Sequence, residues 1–356
     1  MTHRTTKKKL LMGGVIALVA MLLPGCTASA PSPTPAKSDD AVAAAPVPFP
    51  VAFAFLKNNT YAGNYIADDS GLYAKAGLAP TFLGGGPNAP APEVSISSGE
   101  AVLAFESNSS RLFSYLAKAD DIVIIGQRFQ TVPNGLLSLA KHPVRKASDL
   151  HGVKVIAGAA NRTSMDALMA INNIKDYEFV PGGADVGPLL AGQGDALLAF
   201  ATNQAITLKQ QGMKENKDFY FVPFNKLNYY LMSEVVIVSK SYLASHRDEV
   251  VNFMAATVQG WQAQIKNPAK GAKLAVDKYG AELGLDLAQQ IAAAKAEIPY
   301  MTSELTKKKG LFSVDPAYVE QYVYPSLEKA GITGMPAAAD VIDTTVLDDV
   351  YKKISK

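Results

Sequence analysis

Cysteine is almost absent from this 356-residue chain, in which Cys26 is the only one. A lone cysteine excludes an intrachain disulfide framework and a metal site built from several thiolates. Tryptophan also occurs only once, and histidine occurs four times. Basic and acidic residues nearly balance, with a formal net charge of +2. Because nucleic-acid-binding proteins need a basic surface, we expect no nucleic-acid partner.

The first 25 residues have the layout of a secretion signal. Arg4 and the lysines at 7–9 precede an apolar run, LLMGGVIALVAMLL, that is short for a membrane span. The run ends in LPGC, residues 23–26, which resembles the lipobox of bacterial lipoproteins. This resemblance implies cleavage before Cys26 and acylation of its thiol, so we predict a signal peptide over 1–25 and a lipid anchor outside the cytoplasm. The alternative is a coincidental cysteine behind an ordinary signal or anchor.

A tether follows the predicted cleavage site. Residues 26–49 begin with the cysteine and consist largely of Ala, Pro and Ser, a composition typical of an extended linker. Cleavage would remove four positive charges and no negative ones, which lowers the formal net charge from +2 to −2. The remaining body of about 300 residues is long enough for two lobes.

Strand-like and helical segments alternate along this body up to about residue 240. Strand-like runs such as VAFAFL (51–56) and IVIIGQRF (122–129) are separated by helical patterns. This alternation predicts an α/β fold with mainly parallel sheets flanked by helices. We assign 50–135 and 236–356 to a first lobe that includes the C-terminal helices, and 136–235 to a second lobe, with hinge crossovers between them.

An internal repeat supports the two-lobe division. TFLGGGPNAPAPEVSISSGEAVLAFESN (81–108) and EFVPGGADVGPLLAGQGDALLAFATN (178–203) share one order of features. Each contains a strand, a glycine turn, a short helix and a small-residue strand with the sequence LAF. The triple glycine at 84–86 is not a phosphate-binding P-loop, because no GK[ST] ending follows it.

Four stretches in order carry a resemblance to a known family. They are YAGNYIADDSGLYAKAGLAPTF, GGGPNAPAPEVSISSGEAVLAF, KHPVRKASDLHGVKV and EIPYMTSELTKKKGLFSVDPAYVEQ. Over about residues 51 to 330 the chain resembles the substrate-binding lipoproteins of ABC importers, which have the type II periplasmic binding protein fold. Within them it is most similar to the branch that includes binders of nitrate, sulfonates, taurine and thiamine-pyrimidine precursors.

The resemblance implies a monomeric protein that closes on a small molecule and delivers it to the transmembrane subunits of an ABC permease. It implies no catalysis, no cofactor and no metal. Ligands of open α/β sheets bind at the carboxyl ends of strands, where loops and helix N-termini converge. We therefore predict ligand contacts from strand-end loops, at the following positions: Asn59, Tyr61, Glu106, Ser107, Asn108, Phe129, Asn161, Arg162, Thr163, Asn203, Tyr229 and Tyr230.

The composition of this set favours a flat heterocycle similar to a thiamine pyrimidine precursor. Aromatic rings would cover its faces, and amides with the Glu106 carboxylate would bind its edge. A riboflavin-like vitamin is the second prediction. An aliphatic sulfonate, taurine or nitrate is the third, with Arg162 at a helix start as its basic group.

Each functional assignment has a structural alternative. Glu106 could pair with Arg111 on the following helix, and Arg162 could point to solvent. The tyrosines could belong to the core, Asn59 and Asn108 could only cap helices, and Trp261 could be packed rather than touch the ligand.

An enzyme similar to the pyrimidine synthases of this family is the remaining alternative. Those relatives use an active-site histidine and a cysteine-rich iron motif. Here the cysteines are missing, and His142, His151 and His246 fall outside the strand-end loops.

Overall fold

The computed structural model describes residues 45–86, 88–183 and 185–355. The predicted signal peptide, the lipid site at Cys26 and most of the predicted tether lie outside these residues. The first strand begins at Val47, so the last residues assigned to the tether belong to the folded body. Within the described residues, no helix has both the length and the apolar character needed to cross a bilayer.

Within residues 45–86, 88–183 and 185–355, ten strands form two sheets of five strands each. The strands are β1 (Val47–Phe53), β2 (Leu78–Leu83), β3 (Leu103–Glu106), β4 (Ile122–Phe129), β5 (Asn134–Leu139), β6 (Lys154–Ala157), β7 (Glu178–Pro181), β8 (Ala196–Phe200), β9 (Phe219–Pro223) and β10 (Ser233–Ser239). The first sheet has the order β2-β1-β3-β10-β4 and the second has β7-β6-β8-β5-β9.

Both sheets are mixed, with the same arrangement of directions. β1 runs parallel to β2 and β3, and β6 runs parallel to β7 and β8. β10 runs antiparallel to β3 and β4, and β5 runs antiparallel to β8 and β9. These two strands occupy equivalent positions in the two sheets. The sequence repeat therefore corresponds to matching parts of the two sheets, β2 to β3 and β7 to β8. β10 begins at Ser233, slightly before the predicted return to the first lobe at 236.

Sixteen α-helical segments lie in the described residues. They are α1 (Ala62–Asp69), α2 (Leu72–Lys75), α3 (Pro92–Ser97), α4 (Ser109–Leu116), α5 (Arg162–Ile171), α6 (Gly187–Leu190), α7 (Gln204–Gln210), α8 (Lys240–Ser245), α9 (Arg247–Lys266), α10 (Pro268–Leu274), α11 (Leu287–Glu297), α12 (Glu304–Lys309), α13 (Pro316–Tyr318), α14 (Tyr324–Lys329), α15 (Ala338–Val341) and α16 (Thr345–Ile354). The helical pattern YAGNYIADDSGLYAKAG (61–77) forms two helices, because Gly71 takes the left-handed conformation between them.

Alternating strand residues supply hydrophobic cores on both faces of each sheet. In the first sheet, Val51 and Phe53 belong to one cluster while Ala52 belongs to the other. The second sheet divides in the same way, with Val155 in one cluster and Ile156 in the other. A sheet buried on both faces must be covered by helices on both sides, which is the α/β architecture that the sequence predicts.

Two C-terminal helices contact both lobes. α11 contacts α7 of the second lobe, and α14 contacts α5. The chain also crosses between the lobes twice, from β4 to β5 and from the segment after β9 to β10. The interlobe space is therefore bounded by two chain crossovers and by two helical contacts.

Candidate functional site

The interlobe space holds two adjoining cavities of about 360 Å³ and 340 Å³. Four residues, Ser107, Asn134, Phe200 and Ser233, line both cavities, so the two are parts of one cleft. Each volume lies in the range of small-molecule sites. We refer to the 360 Å³ part as the acidic chamber and to the 340 Å³ part as the hydroxyl chamber.

The acidic chamber combines aromatic rings, amides and two carboxylates. Its lining residues are Phe55, Asn58, Asn59, Thr60, Ser107, Phe129, Pro133, Asn134, Phe200, Thr202, Asn203, Ser233, Glu234, Gln289, Gln290, Ala293 and Glu297. Phe55 and Phe200 are among the exposed large apolar side chains of the described residues. Rings left accessible in a cleft offer flat surfaces on which an apolar or aromatic ligand can pack.

The hydroxyl chamber is formed where two helices begin. Ser109 and Ser110 lie at the start of α4, and Thr163 and Ser164 lie at the start of α5. The chamber contains no charged side chain among its lining residues. Backbone N–H groups at helix N-termini favour an acceptor or an anion, so this chamber suits the oxygen-rich end of a solute.

Seven of the twelve predicted ligand contacts lie in this cleft. They are Asn59, Ser107, Asn108, Phe129, Asn161, Thr163 and Asn203. Ligand contact by these residues stays a prediction. Two of the asparagines also have structural partners: Asn108 Oδ1 accepts a hydrogen bond from the Arg111 N–H at 3.0 Å and caps α4, and Asn59 Nδ2 donates to Glu297 at 2.9 Å.

Two predicted tyrosines are buried in the lobe cores instead. Tyr61 has no exposed surface, and its ring stacks on Phe53 with centroids 3.7 Å apart. Its hydroxyl accepts a hydrogen bond from the Phe55 N–H at 3.0 Å. Tyr229 is equally buried, with its hydroxyl 3.2 Å from Ser164 Oγ. Both tyrosines lie behind the cleft wall. The Tyr61 hydroxyl is hydrogen-bonded to Phe55 and the Tyr229 hydroxyl to Ser164, and these two partners line the cleft.

Glu106 is also outside the cleft lining, because it is bound inside the first lobe. Both of its oxygens accept hydrogen bonds from Arg111 Nη2, at 2.8 and 2.7 Å. Arg111 also pairs with Glu93, with 3.1 Å between Nε and Oε1. Burial raises the pKa of Glu106 to about 8, Glu93 adds to this rise and Arg111 opposes it. The alternative in which Glu106 pairs with Arg111 is therefore the arrangement in the structure.

Arg162 and Tyr230 make contacts away from the cleft lining. Arg162 is exposed, forms an ion pair with Asp166 at 2.8 Å and lies over the Phe179 ring. Tyr230 lies against the rings of Tyr318 and Tyr322. Arg162 is thus paired with Asp166, and neither chamber has a basic side chain among its lining residues.

An acidic group that the sequence analysis missed forms one wall of the acidic chamber. Arg128 lies between Glu297, 2.9 Å away, and Glu234, 3.6 Å away. All three side chains are almost completely buried. The Arg128 guanidinium also lies 4.0 Å from the Phe129 ring centroid and 4.4 Å from that of Trp261. Trp261 is packed behind this wall and does not line either chamber.

The missed residues gave little signal in the sequence. Glu234 stands at the start of a run that predicts a strand, and Glu297 stands in a helical pattern about sixty residues later. Their proximity depends on sheet order, which places β10 beside β4, and on the return of α11 to the first lobe. The asparagine and glutamine content of the strand-end loops was the available signal, and Asn134 could have been found in this way.

No group of three or more histidines, cysteines, aspartates or glutamates in the described part of the chain could hold a metal ion. His142, His151 and His246 do not line the cleft. His151 lies 3.0 Å from Asp176 on the surface, and His246 stacks on Tyr242.

A family model described as NMT1/THI5 like matches residues 58–271. No curated protein matches the sequence. Solved structures do match the fold. The periplasmic aliphatic sulphonate binding protein SsuA from Escherichia coli is 15% identical, with a TM-score of 0.62, and the match covers 84% of this chain and 92% of that one.

Two further structures extend the comparison. The alkanesulfonate-binding protein SsuA from Xanthomonas axonopodis pv. citri, bound to MOPS, is 15% identical with a TM-score of 0.51, covering 84% of this chain and 99% of that one. The desulfurization enzyme DSZB is 13% identical with a TM-score of 0.54, covering 86% and 99%. This chain therefore shares its fold with periplasmic binding proteins and also with an enzyme.

Proposed function

We propose, from the premise that this chain belongs to the NMT1/THI5-like family, that it is a solute-binding protein of an ABC importer. The solute enters the cleft between the lobes, and hinge closure over the two crossovers encloses it. A ligand favours the closed state only through contacts that both lobes make at once. The cleft offers such contacts, because Asn59 and Gln290 come from the first lobe and Asn203 from the second.

The proposed solute is a small flat heterocycle with nitrogen donors, similar to a thiamine pyrimidine precursor. The observation that carries this choice is the lining of the acidic chamber, which has three phenylalanines, several amides and two glutamates but no lysine or arginine. The buried Arg128 behind this wall offsets one of the two carboxylate charges, and the negative charge that remains repels an anion and favours a donor or a cation. A riboflavin-like vitamin uses the same ring faces and is the second choice.

An aliphatic sulfonate, taurine or nitrate is the alternative class. The hydroxyl chamber supports it, because the starts of α4 and α5 both line that chamber and bring serine and threonine hydroxyls with them. Structural neighbours that bind sulfonates agree with this alternative, although at such low identity they speak for the fold rather than for the ligand.

Thermal shift of the purified full-length protein tests the solute class. The probes are hydroxymethylpyrimidine (the aminopyrimidine half of thiamine), riboflavin, taurine and nitrate. A ligand present at a hundred times its dissociation constant adds about 2.7 kcal/mol of stability by mass action, so the aminopyrimidine should raise the melting temperature. A shift by taurine or nitrate alone contradicts the heterocycle, and no shift by any solute contradicts the solute-binding function.

An enzymatic role is a remote alternative, favoured only by the fold that the chain shares with DSZB. Recovery of the bound solute unchanged after long incubation separates binding from turnover. We also propose that a lipid on Cys26 holds the protein at the outer face of the membrane, where it meets the permease. Incorporation of labelled palmitate by the wild type but not by Cys26→Ser checks this anchor.

A further inference from the structure

Glu234 differs from the other buried acid of the acidic chamber in its hydrogen bonds. Glu297 has a partner for each oxygen, since Asn59 Nδ2 donates to Oε1 at 2.9 Å and Arg128 Nη1 donates to Oε2 at 2.9 Å. Glu234 is only 2% exposed, yet its Oε2 has no hydrogen-bond partner; it forms only a long ion pair, at 3.6 Å, with Arg128 Nη2, which has no hydrogen-bond partner either. A buried carboxylate oxygen without a donor is costly, and an N–H group of a solute would remove this cost.

The charges at this wall of the acidic chamber do not balance either. Two carboxylates, Glu234 and Glu297, share the single guanidinium of Arg128. Arg128 binds Glu297 through Nη1, whereas its Nη2 has no hydrogen-bond partner, and the Phe129 and Trp261 rings lie against the guanidinium. Burial raises the pKa of Glu234 to about 7; the Arg128 charge opposes this rise and the Glu297 charge adds to it. A donor or positive charge arriving in the chamber would stabilise the ionised form.

The backbone of Glu234 is held in an unusual conformation. Its φ is +54°, in the left-handed region that residues other than glycine, asparagine and aspartate seldom adopt. The next residue, Val235, pairs with Glu106 on β3 and Gln127 on β4. Such backbone conformations are costly and concentrate at ligand sites. Here the conformation occurs at a residue that lines the acidic chamber.

A second group of the same composition lies outside the cleft and provides a comparison. Glu93 and Glu106 share Arg111, and Glu93 Oε2 is also buried without a partner. Neither carboxylate lines a chamber. Glu234 therefore differs from Glu93 in two ways: it lines the cleft, and its backbone is strained. Burial alone does not distinguish the two residues.

We propose that Glu234 is the specificity-determining carboxylate of the cleft, which accepts N–H donors from an amino-substituted or cationic edge of the solute. The solute ring then lies among Phe55, Phe129 and Phe200, and its other end points toward the hydroxyl chamber. This assignment rests on the proposed solute-binding function and narrows it to heterocycles that carry an amino or protonated nitrogen. It excludes solutes that present only acceptors to this wall.

Titration calorimetry of the full-length protein tests the assignment with two matched probes. Hydroxymethylpyrimidine carries the amino group, and its analogue with methoxy in place of amino has only acceptors at that edge. The wild type should prefer the amino probe. Glu234→Gln should weaken amino-probe binding by about tenfold to a hundredfold, the range expected for a hydrogen bond to a charged group, and should reduce the preference. Glu93→Gln is the control and should bind both probes within twofold of the wild type.

Several results would overturn the assignment. They are equal binding of the amino probe by wild type and Glu234→Gln, equal binding of the two probes by the wild type, or no binding of the amino probe by the wild type. If taurine or riboflavin binds and Glu234→Gln leaves that affinity unchanged, this assignment fails while the solute-binding function stands. If Glu234→Gln does not fold, Glu234→Asp replaces it. Aspartate tolerates left-handed backbone and keeps the charge on a shorter side chain, so a tenfold loss is again expected and an unchanged affinity contradicts the proposal.

Discussion

At the scale of single residues, two buried glutamates have different roles: Glu106 is bound by Arg111 inside the first lobe, whereas Glu234 lines the cleft. The sequence offered two roles for Glu106, as a ligand contact or as a partner of Arg111, and only the folded chain decides between them. Arg111 bonds both Glu106 oxygens because one turn of α4 brings it back over the end of β3. The role of Glu234 was hidden for the opposite reason, since its partners Arg128 and Glu297 are distant along the chain.

The raised pKa of Glu106 predicts a loss of stability as pH rises. A carboxyl whose pKa is about 8 when folded and 4.5 ordinarily holds its proton longer in the native state. Its contribution to the free energy of unfolding is therefore full below about pH 4.5 and is lost as the pH rises through about 8. In Glu106→Gln this group cannot ionise, so urea denaturation at pH 5, 6.5 and 8 should show a flatter decline than in the wild type.

The exposed Glu304, whose side chain is 79% accessible, supplies the control for that series. Glu304→Gln should follow the wild-type pH profile. A decline in Glu106→Gln as steep as that of the wild type would show that Glu106 is not the titrating group.

At the scale of elements, repeated strand patterns were easier to predict than isolated ones. The repeat with the shared LAF identified β2 to β3 and β7 to β8, because glycine turns and apolar runs mark their limits. β5 (Asn134–Leu139) was not among the predicted strands. Its run NGLLSL is short and follows the crossover, and its place between β8 and β9 depends on pairing with residues about sixty to ninety positions away.

The crossing of α1 and α9 is a close helix contact that one added methyl group can test. A Cβ added at Gly63 would lie 2.3 Å from Cδ2 of Trp261, and one at Gly260 would lie 2.1 Å from the Gly63 carbonyl oxygen. Gly63→Ala gains about 1 kcal/mol in helix propensity, but overpacking in a fixed core costs about 1–3 kcal/mol. Since Trp261 is 1% exposed and cannot move away, we expect net destabilisation by guanidinium denaturation.

Gly84→Ala is the matched control for this prediction. A Cβ there meets only the flexible Lys57 side chain, at 3.2 Å, so the free energy of unfolding should change by less than about 0.5 kcal/mol. A Gly63→Ala protein as stable as the wild type would mean that the two helices can separate at little cost.

At the scale of the whole molecule, the two-lobed α/β fold follows from the sequence, whereas the composition of its cleft does not. Alternating elements and the internal repeat predict two similar sheets with ligand contacts at strand ends. The cleft also takes Gln289, Gln290 and Glu297 from α11, a helix far along the chain with no repeat partner. Side chains that meet only after the C-terminal helices return to the interlobe space cannot be placed by local patterns.

The central claim is that one solute binds between the lobes, and native mass spectrometry of the full-length protein tests it most directly. Ser107 is exposed and lines both chambers, so Ser107→Trp should fill their junction, while Ser148→Trp changes an exposed residue outside the cleft. With hydroxymethylpyrimidine, the wild type and Ser148→Trp should each form a one-to-one complex that Ser107→Trp does not form. A complex that persists in Ser107→Trp would contradict the account, and so would the absence of a wild-type complex with hydroxymethylpyrimidine, riboflavin, taurine and nitrate alike.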